Sequence, residues 1–263
     1  MSYWQDKVVI VAGGSTGFGK VLAATLVSYG ARVILFARDQ QRLDGAAKEL
    51  DASCQAVDLT DESATRIAVQ NCVDDFGRID AVFNCVGKST REALLDVDVT
   101  QIQEMMRVNL HTVVNLSMAV VNELKKSKGH LVNIGSLASK TAWPFVTSYA
   151  VSKTAMATYT QQLRLEGPRN VHYMLVCPGP IRRDDVGSRY DEKAEKLPDS
   201  ARAAAAGAKL KGIPPELLAN KVLRACAKRK KELIVPAYAR LAFIAAALSP
   251  TLGDWILRLK MSK

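Results

Sequence analysis

A chain of 263 residues with 48% apolar and 24% charged side chains has the proportions of a soluble globular protein and is long enough for one α/β domain with a real buried core. Its formal net charge of +10 is unusual, but the stretch 205–263 holds 12 Lys and Arg against 3 Asp and Glu, which leaves the remainder near neutrality. That excludes the chain-wide basic surface of a nucleic-acid-binding protein and points to a local partner, anionic lipid or a solubilising face at the C-terminal end.

Short β-branched runs alternate with longer amphipathic stretches. "KVVIVA" (7–12) reads as a buried strand, with no secretory signal before it, and a helix follows over about 17–29. "ARVILFA" (31–37) precedes a helix over 39–50, and "CQAVDL" (54–59) precedes one over about 61–75. "IDAVFN" (79–84) precedes a long helix over roughly 99–125, and "HLVNIG" (130–135) precedes a helix over 147–166. "VHYMLVC" (171–177) is the next strand. Strands this apolar, without polar alternation, are buried on both faces. Their alternation with helices predicts a doubly wound parallel sheet, Rossmann-like, in a single α/β domain spanning 1–263 with helices on both faces.

After Pro180 the pattern breaks. Residues 182–212 are polar, then alanine-rich, and read as an insertion over the substrate site. A helix opens at Pro214–Pro215, "ELIVP" (232–236) is a last strand, and 237–263 form a basic, apolar C-terminal extension of two short helices with Ser249–Pro250 as cap and first position. Its longest apolar run, 241–248, is far short of the ~20 residues that cross a bilayer. The expectation is a cytoplasmic protein with at most peripheral membrane contact. Trp255, Ile256 and Leu259 would form one apolar helix face, with Arg258, Lys260 and Lys263 near headgroups; the competing expectation is that this face packs on the core or on a second subunit. Five cysteines, an odd number with no C-x-x-C, read as reduced and mostly buried thiols. His111, His130 and His172 are scattered, and no metal site is expected.

Two short stretches carry chemistry. "AGGSTGFG" (12–19) follows the first strand and opens the first helix, where a glycine-rich turn lets the backbone approach a pyrophosphate and the helix N-terminus favours its charge. "YAVSK" (149–153) places a phenol and an ammonium one helical turn apart on one face. Free tyrosine titrates near pH ~10, and a lysine beside it favours the phenolate and lowers that value.

With these residues the chain resembles the short-chain dehydrogenase/reductase family over nearly its whole length. The family's T-G-x-x-x-G-x-G is matched by 12–19 apart from Ala12 in place of Thr, and its N-N-A-G appears as "NCVG", Asn84 to Gly87. Its helix asparagine is Asn109, its serine after the fifth strand Ser136, its Y-x-x-x-K Tyr149 to Lys153, and its P-G turn Pro178–Gly179. The departure is Arg183, where the family's P-G-x-x-x-T has Thr; Ile181 still offers its backbone to a nicotinamide amide.

The resemblance implies an enzyme that interconverts a ketone and a secondary alcohol with a nicotinamide dinucleotide. Tyr149 would be the general acid/base, Lys153 would lower its pKa and hold the ribose hydroxyls, Ser136 would bond the substrate oxygen, and Asn109 would hold a water chain from Lys153 to solvent. The cofactor would lie on Gly13, Ser15, Thr16, Gly17, Phe18, Gly19, Leu59, Asn84, Gly87, Pro178, Gly179 and Ile181, besides Tyr149 and Lys153. At the end of the second strand, Ala37 stands where an NAD-selecting Asp would fall. Arg38 beside it can fork a 2′-phosphate and stack on adenine, with Ser15 adding a hydrogen bond and Asp58 reading the adenine amine. Asp39 reads as a cap of the next helix. NADP is therefore expected over NAD. The tail and "GGSTGFGK…LFAR" are similar to family branches that reduce lipid-like ketones such as 3-keto lipids. A homodimer or homotetramer through the helices over 99–125 and 147–166 is the family's usual assembly. The alternative is a dinucleotide-binding redox sensor without turnover, whose usual sign, loss of the Tyr or Lys, is not found here.

Overall fold

The computed structural model describes residues 2–183, 197–198, 201 and 211–260. Most of the insertion expected over 182–212, and residues 261–263 of the C-terminal extension, lie outside the described residues. The strands are β1 (Val8–Ala12), β2 (Arg32–Ala37), β3 (Ser53–Ala56), β4 (Ala81–Asn84), β5 (His130–Ile134), β6 (His172–Pro178) and β7 (Glu232–Val235). They pair in parallel in the order β3-β2-β1-β4-β5-β6-β7. The chain starts at the centre, winds outward to β3, then returns beside β1 as β4. That reversal opens a crevice beyond the carboxyl ends of β1 and β4.

The helices are α1 (Gly17–Ser28), α2 (Gln40–Leu50), α3 (Glu62–Phe76), α4 (Val99–Met106), α5 (Thr112–Ser127), α6 (Thr147–Glu166), α7 (Pro215–Ala227), α8 (Ala239–Leu248) and α9 (Pro250–Lys260). All five β1 residues are fully buried, because successive side chains enter two different cores. Val9 and Val11 meet Leu22, Leu26 and Leu218 on one face, and Val8 and Ile10 meet Val69, Leu116 and Val120 on the other. A doubly covered sheet thus accounts for the unbroken apolar strands.

Two elements differ from the sequence expectation. β3 ends at Ala56, short of the predicted 54–59. Asp58 accepts from both the backbone and the hydroxyl of Thr60, and Asp61 caps α3, so local side-chain bonds bend the chain out of the sheet. Val57 and Leu59 remain in the core after the strand has ended. The long helix predicted over 99–125 is broken by a π-helical turn, Arg107–His111, between α4 and α5. Asn109 sits in that turn.

At the amino ends of the strands a 3-10 turn, Ser2–Trp4, buries Trp4 completely against Phe83. Here two of the three histidines, His130 and His172, are not scattered as the sequence suggested. The Nδ1 atoms of His130 and His172 lie 2.8 Å apart, and Cys226 joins them with all three potential ligand atoms within 4.8 Å of one another. His172 Nε2 is 2.9 Å from the Lys230 carbonyl, to which it must donate; its Nδ1 then accepts from His130, whose Nε2 accepts from the Tyr3 hydroxyl. One set of neutral tautomers satisfies the whole chain of bonds. Burial, with the neighbouring His172, depresses His130 to about 3 and keeps it neutral.

Candidate active site

The sequence motifs converge on the crevice at the carboxyl ends of the strands. The turn after β1 comes first. Gly13 (φ +76°) presses on the loop after β4 so closely that a Cβ there would stand 3.0 Å from Val86 N, and one at Gly19 would stand 2.1 Å from the Gly13 carbonyl oxygen. Only glycine permits both the backbone angle and the approach. The N-cap of α1, Thr16, makes no side-chain capping bond, whereas Asp39, Asp61 and Asp98 cap α2, α3 and α4. The first N–H groups of α1 thus form an uncapped donor set at the positive end of the helix dipole, suited to an anion. Ser15 is half-buried and Phe18 packs against the core beside this turn.

The loop after β4 links this turn to the lysine. Asn84 is buried, and both polar atoms of its side-chain amide lack a hydrogen-bond partner among the described residues. A buried amide in that condition is able to bond a polar group of a bound ligand. These two features, the uncapped helix end and the orphaned amide, fit a dinucleotide. At Gly87 a Cβ would meet Lys153 Nζ at 3.2 Å and Asn109 Oδ1 at 3.5 Å. Asn109 is fully buried; its Nδ2 donates to the Lys88 carbonyl (2.9 Å) and to Ser152 Oγ (2.9 Å), and its Oδ1 accepts from Lys88 N–H (2.8 Å). Both amide hydrogens are therefore committed, and one Oδ1 lone pair is left for a water. The π turn aims this side chain at the loop.

Lys153 is not a solvated surface lysine. It is 4% exposed, with Nζ donating to the Ile134 carbonyl at 3.0 Å. Burial depresses its pKa from 10.5 to about 8. Tyr149, one turn earlier on α6, is half-buried and packs beside Ala138, Val146 and Ala150. Ser136 ends the run after β5 as a capping residue: its Oγ accepts from Ala138 N–H (3.1 Å), and its own N–H donates to Ser139 Oγ (3.1 Å). The cap orients the hydroxyl and leaves its proton to donate. Gly179 closes the line, since a Cβ there would stand 3.4 Å from Leu137. Ile181 bridges Ile213, using the Pro180 carbonyl and the Arg182 N–H. Its own N–H and carbonyl point to the opposite side.

At the adenine end, Arg38 is exposed just past β2. Burial would raise the Asp58 carboxyl, but hydrogen bonds from Thr60 and the charges of Arg38 and Arg107 hold it below the usual carboxylate range. Leu59 is buried, and its carbonyl accepts from Asn115. Asp39 caps α2 through Arg42 N–H, as its position suggested.

Sequence reasoning missed Glu92. This buried carboxylate accepts from both the N–H and the hydroxyl of Ser148, each at 2.6 Å, while its own N–H donates to the carbonyl of Phe145, which has φ +59°. It caps α6 from another loop and so positions Tyr149. No spacing rule signals a contact across 56 residues.

The C-terminal hairpin α8–α9 closes one side. Leu137, Thr141 and Trp143, just after Ser136, face Tyr238, Phe243, Ala246, Ile256 and Leu257 around a small, largely apolar pocket. Ile256 lines this pocket and does not share an outward face with Trp255, because α9 packs against α8. The side chains of Leu259, expected on that face, and of Lys260 and Lys263, expected near headgroups, lie outside the described residues.

Comparison with known proteins agrees with this geometry. The family model described as short chain dehydrogenase matches residues 7–194. Dehydrogenase/reductase SDR family member 7B of Danio rerio is 31% identical over 244 residues, spanning 88% of this chain and 77% of the relative. An uncharacterized oxidoreductase of Staphylococcus saprophyticus is 32% identical over 210 residues, 75% of this chain and 90% of the relative. Among solved structures, a short-chain dehydrogenase from Streptomyces avermitilis superposes with a TM-score of 0.79 at 20% identity, covering 95% of each chain. An alcohol dehydrogenase from Thermococcus sibiricus, complexed with 5-hydroxy-NADP, superposes with a TM-score of 0.73 at 23% identity, covering 88% of this chain and 96% of that one.

The buried ammonium makes a stability prediction. A fall from 10.5 to about 8 costs the folded state about 3 kcal/mol at ~1.36 kcal/mol per pH unit, offset on removal by about 1 kcal/mol for the lost bond to Ile134. Lys153→Met is expected to stabilise the ligand-free protein by about 2 kcal/mol at pH 7. Between pH 8 and 10.5 the unfolded wild type holds the proton that the folded state has lost, so wild-type stability rises with pH and the advantage of the variant disappears. Urea denaturation at pH 7 and pH 10.5 reads both effects; equal stability of the two proteins at pH 7 would contradict the cost assigned to the charge.

Proposed function

The chain belongs to the short-chain dehydrogenase family, and from that premise we propose that it is an NADP(H)-dependent oxidoreductase interconverting a ketone and a secondary alcohol. When bound, the nicotinamide supplies or accepts the hydride. The observation that carries the proposal is the buried Lys153, held one helical turn from Tyr149 and pointed at the loop Asn84–Gly87. With one acceptor among the described residues, the buried ammonium has two donors to offer ribose hydroxyls. Its charge favours the phenolate of Tyr149, which would give its proton to the developing alkoxide in reduction and take one in oxidation. The Ser136 hydroxyl would donate to the same substrate oxygen as charge builds on it. Asn109 would hold a water that passes a proton toward Lys153. The glycine turn, Leu59, Asn84, Gly87, Pro178–Gly179 and Ile181 would hold the cofactor.

Arg38, exposed past β2 with no acidic residue at Ala37, supports NADP over NAD, and the Thermococcus sibiricus relative carries an NADP analogue. The apolar lining of the pocket between the loop after Ser136 and α8–α9 supports an apolar, lipid-like ketone as the substrate class. Leu241, Ile244, Leu248, Leu252 and Trp255 are exposed on the same hairpin, with Arg240 and Arg258 also exposed on it. This favours peripheral contact with an anionic membrane, from which such a substrate would be drawn. Among the described residues no helix is long and apolar enough to cross a membrane. Exposed Met118 on α5 with Val151 and Leu165 on α6 favours a homo-oligomer through those faces.

Three outcomes test these assignments. Tyr149→Phe should lower kcat by 10²-fold or more, the scale of general acid–base catalysis, with NADPH affinity nearly unchanged; wild-type kcat in the variant removes the role. Arg38→Ala should raise KM for NADPH roughly 10- to 150-fold, as loss of a charge-assisted phosphate contact implies, and change that for NADH little. Equal use of NADH and NADPH by the wild type would refute the cofactor choice. The protein should float with phosphatidylserine vesicles at low salt, and Leu241→Glu with Leu248→Glu should abolish it; absence of flotation by the wild type refutes the membrane contact.

A further inference from the structure

We propose that His130, His172 and Cys226 form a binding site for one transition-metal ion of the zinc class, at the end of the sheet opposite the candidate active site. One ring nitrogen from each histidine and the Cys226 sulfur lie within 4.8 Å of one another, and all three side chains are buried. His130 and His172 are register partners on β5 and β6, and Cys226 comes from the last turn of α7. No ligand spacing announces the site, because its three members come from three separate elements.

The bonds that leave the cluster assign its metal-facing atoms. His172 Nε2–H donates to the Lys230 carbonyl at 2.9 Å, so its Nδ1 carries a lone pair. His130 presents its own Nδ1 to that atom at 2.8 Å and turns its Nε2 to the Tyr3 hydroxyl. A histidine that ligates a metal has its other ring nitrogen held by an outer oxygen, which fixes the ring and the tautomer. Both rings meet that condition, one on a backbone carbonyl and one on a phenol oxygen.

Loading the site needs little rearrangement. His172 already has the ligating tautomer. His130 moves its proton from Nδ1 to Nε2 and donates to Tyr3 Oη, whose own hydrogen turns away. Cys226 gives up its thiol proton, so each divalent ion bound releases one proton to solvent. Tetrahedral ligands at about 2.0–2.1 Å for nitrogen and about 2.3 Å for sulfur stand about 3.3–3.6 Å apart. The two nitrogens therefore separate by roughly 0.5 Å, and the sulfur closes in from at most 4.8 Å, movements that side-chain rotation supplies. The ion takes the place of the hydrogen between the rings.

Two imidazoles and a thiolate suit zinc and offer none of the oxygen ligands that magnesium and calcium require. Three protein ligands leave the fourth tetrahedral position to water, and the exposed Tyr3 connects the cluster to the surface. A bound ion would tie β5, β6, α7 and the turn Ser2–Trp4 together at the amino ends of the strands, so its effect falls on stability and not on the reaction.

Metal titration of the untagged full chain, stripped with a chelator, tests this. Calorimetry should show one Zn²⁺ bound and no binding of Mg²⁺ at the same concentration. The Tm should rise by about 5–10 °C at a zinc concentration of ~100 Kd. Co²⁺ in place of zinc should give a thiolate-to-metal charge-transfer band, and zinc X-ray absorption should fit two nitrogens at about 2.0–2.1 Å and one sulfur at about 2.3 Å. Tyr3→Phe, which removes only the outer oxygen, should weaken zinc by about 10- to 100-fold; Cys226→Ala should lose the band and weaken zinc further. A wild type that binds no zinc, or binds it without a sulfur neighbour, overturns the inference. A folded Cys226→Ala with wild-type zinc affinity does the same; if that variant does not fold, the X-ray absorption of the wild type decides.

Discussion

Burying the ammonium of Lys153 is the constraint around which the crevice is organised. A charge at 4% exposure needs acceptors and space, and few groups are near enough to supply them. The carbonyl of Ile134, at the end of β5, takes one hydrogen. Gly87 leaves room that any side chain would fill. Asn109 pins the neighbouring Lys88 backbone and reaches Ser152 on the helix that carries the lysine. The π turn that carries Asn109 follows from this: a regular helix over the same residues would carry the amide round by a different angle and miss the loop. Depressed to about 8, Lys153 keeps its charge at neutral pH while standing ready to share its hydrogens with a ligand.

The same helix is held at its start by Glu92 and the positive-φ residue Phe145. α6 has no capping side chain of its own, so its N-terminal donors are met by a carboxylate from a different loop. α1 is treated in the opposite way, its end left without a side-chain cap where the crevice needs donors. The contrast suits the two helix termini to different tasks under the proposed function. One is locked to position a phenol, and the other is kept available for an anion.

The doubly wound sheet was legible because its signal is local and repeated. Seven apolar runs, most of them followed directly by a helix, admit few arrangements once right-handed crossovers are required. The site motifs were legible for the same reason: Gly13 to Gly19 and Tyr149 to Lys153 each lie within one turn or one helix. β3 was over-extended because Val57 and Leu59 are apolar and buried, whereas the bonds of Asp58 to Thr60 that end the strand leave no trace in hydropathy. The break at Asn109 was invisible because neither Gly nor Pro marks it.

Sequence by itself determined the sheet, the crevice and the identity of the groups in it, since each depends on period or spacing along one stretch of chain. Only the tertiary structure decided their electrostatic state and their partners. Lys153 is buried because α6 packs over the end of β5, Glu92 meets Ser148 because two loops 56 residues apart cross, and His130 meets His172 because β5 and β6 pair in register. Arg183, out of place in a motif read linearly, reaches Gly17 only because β1 and β6 deliver their following loops to the same edge. Desolvation and long-range contact are properties of the packed molecule, and no window of sequence contains them.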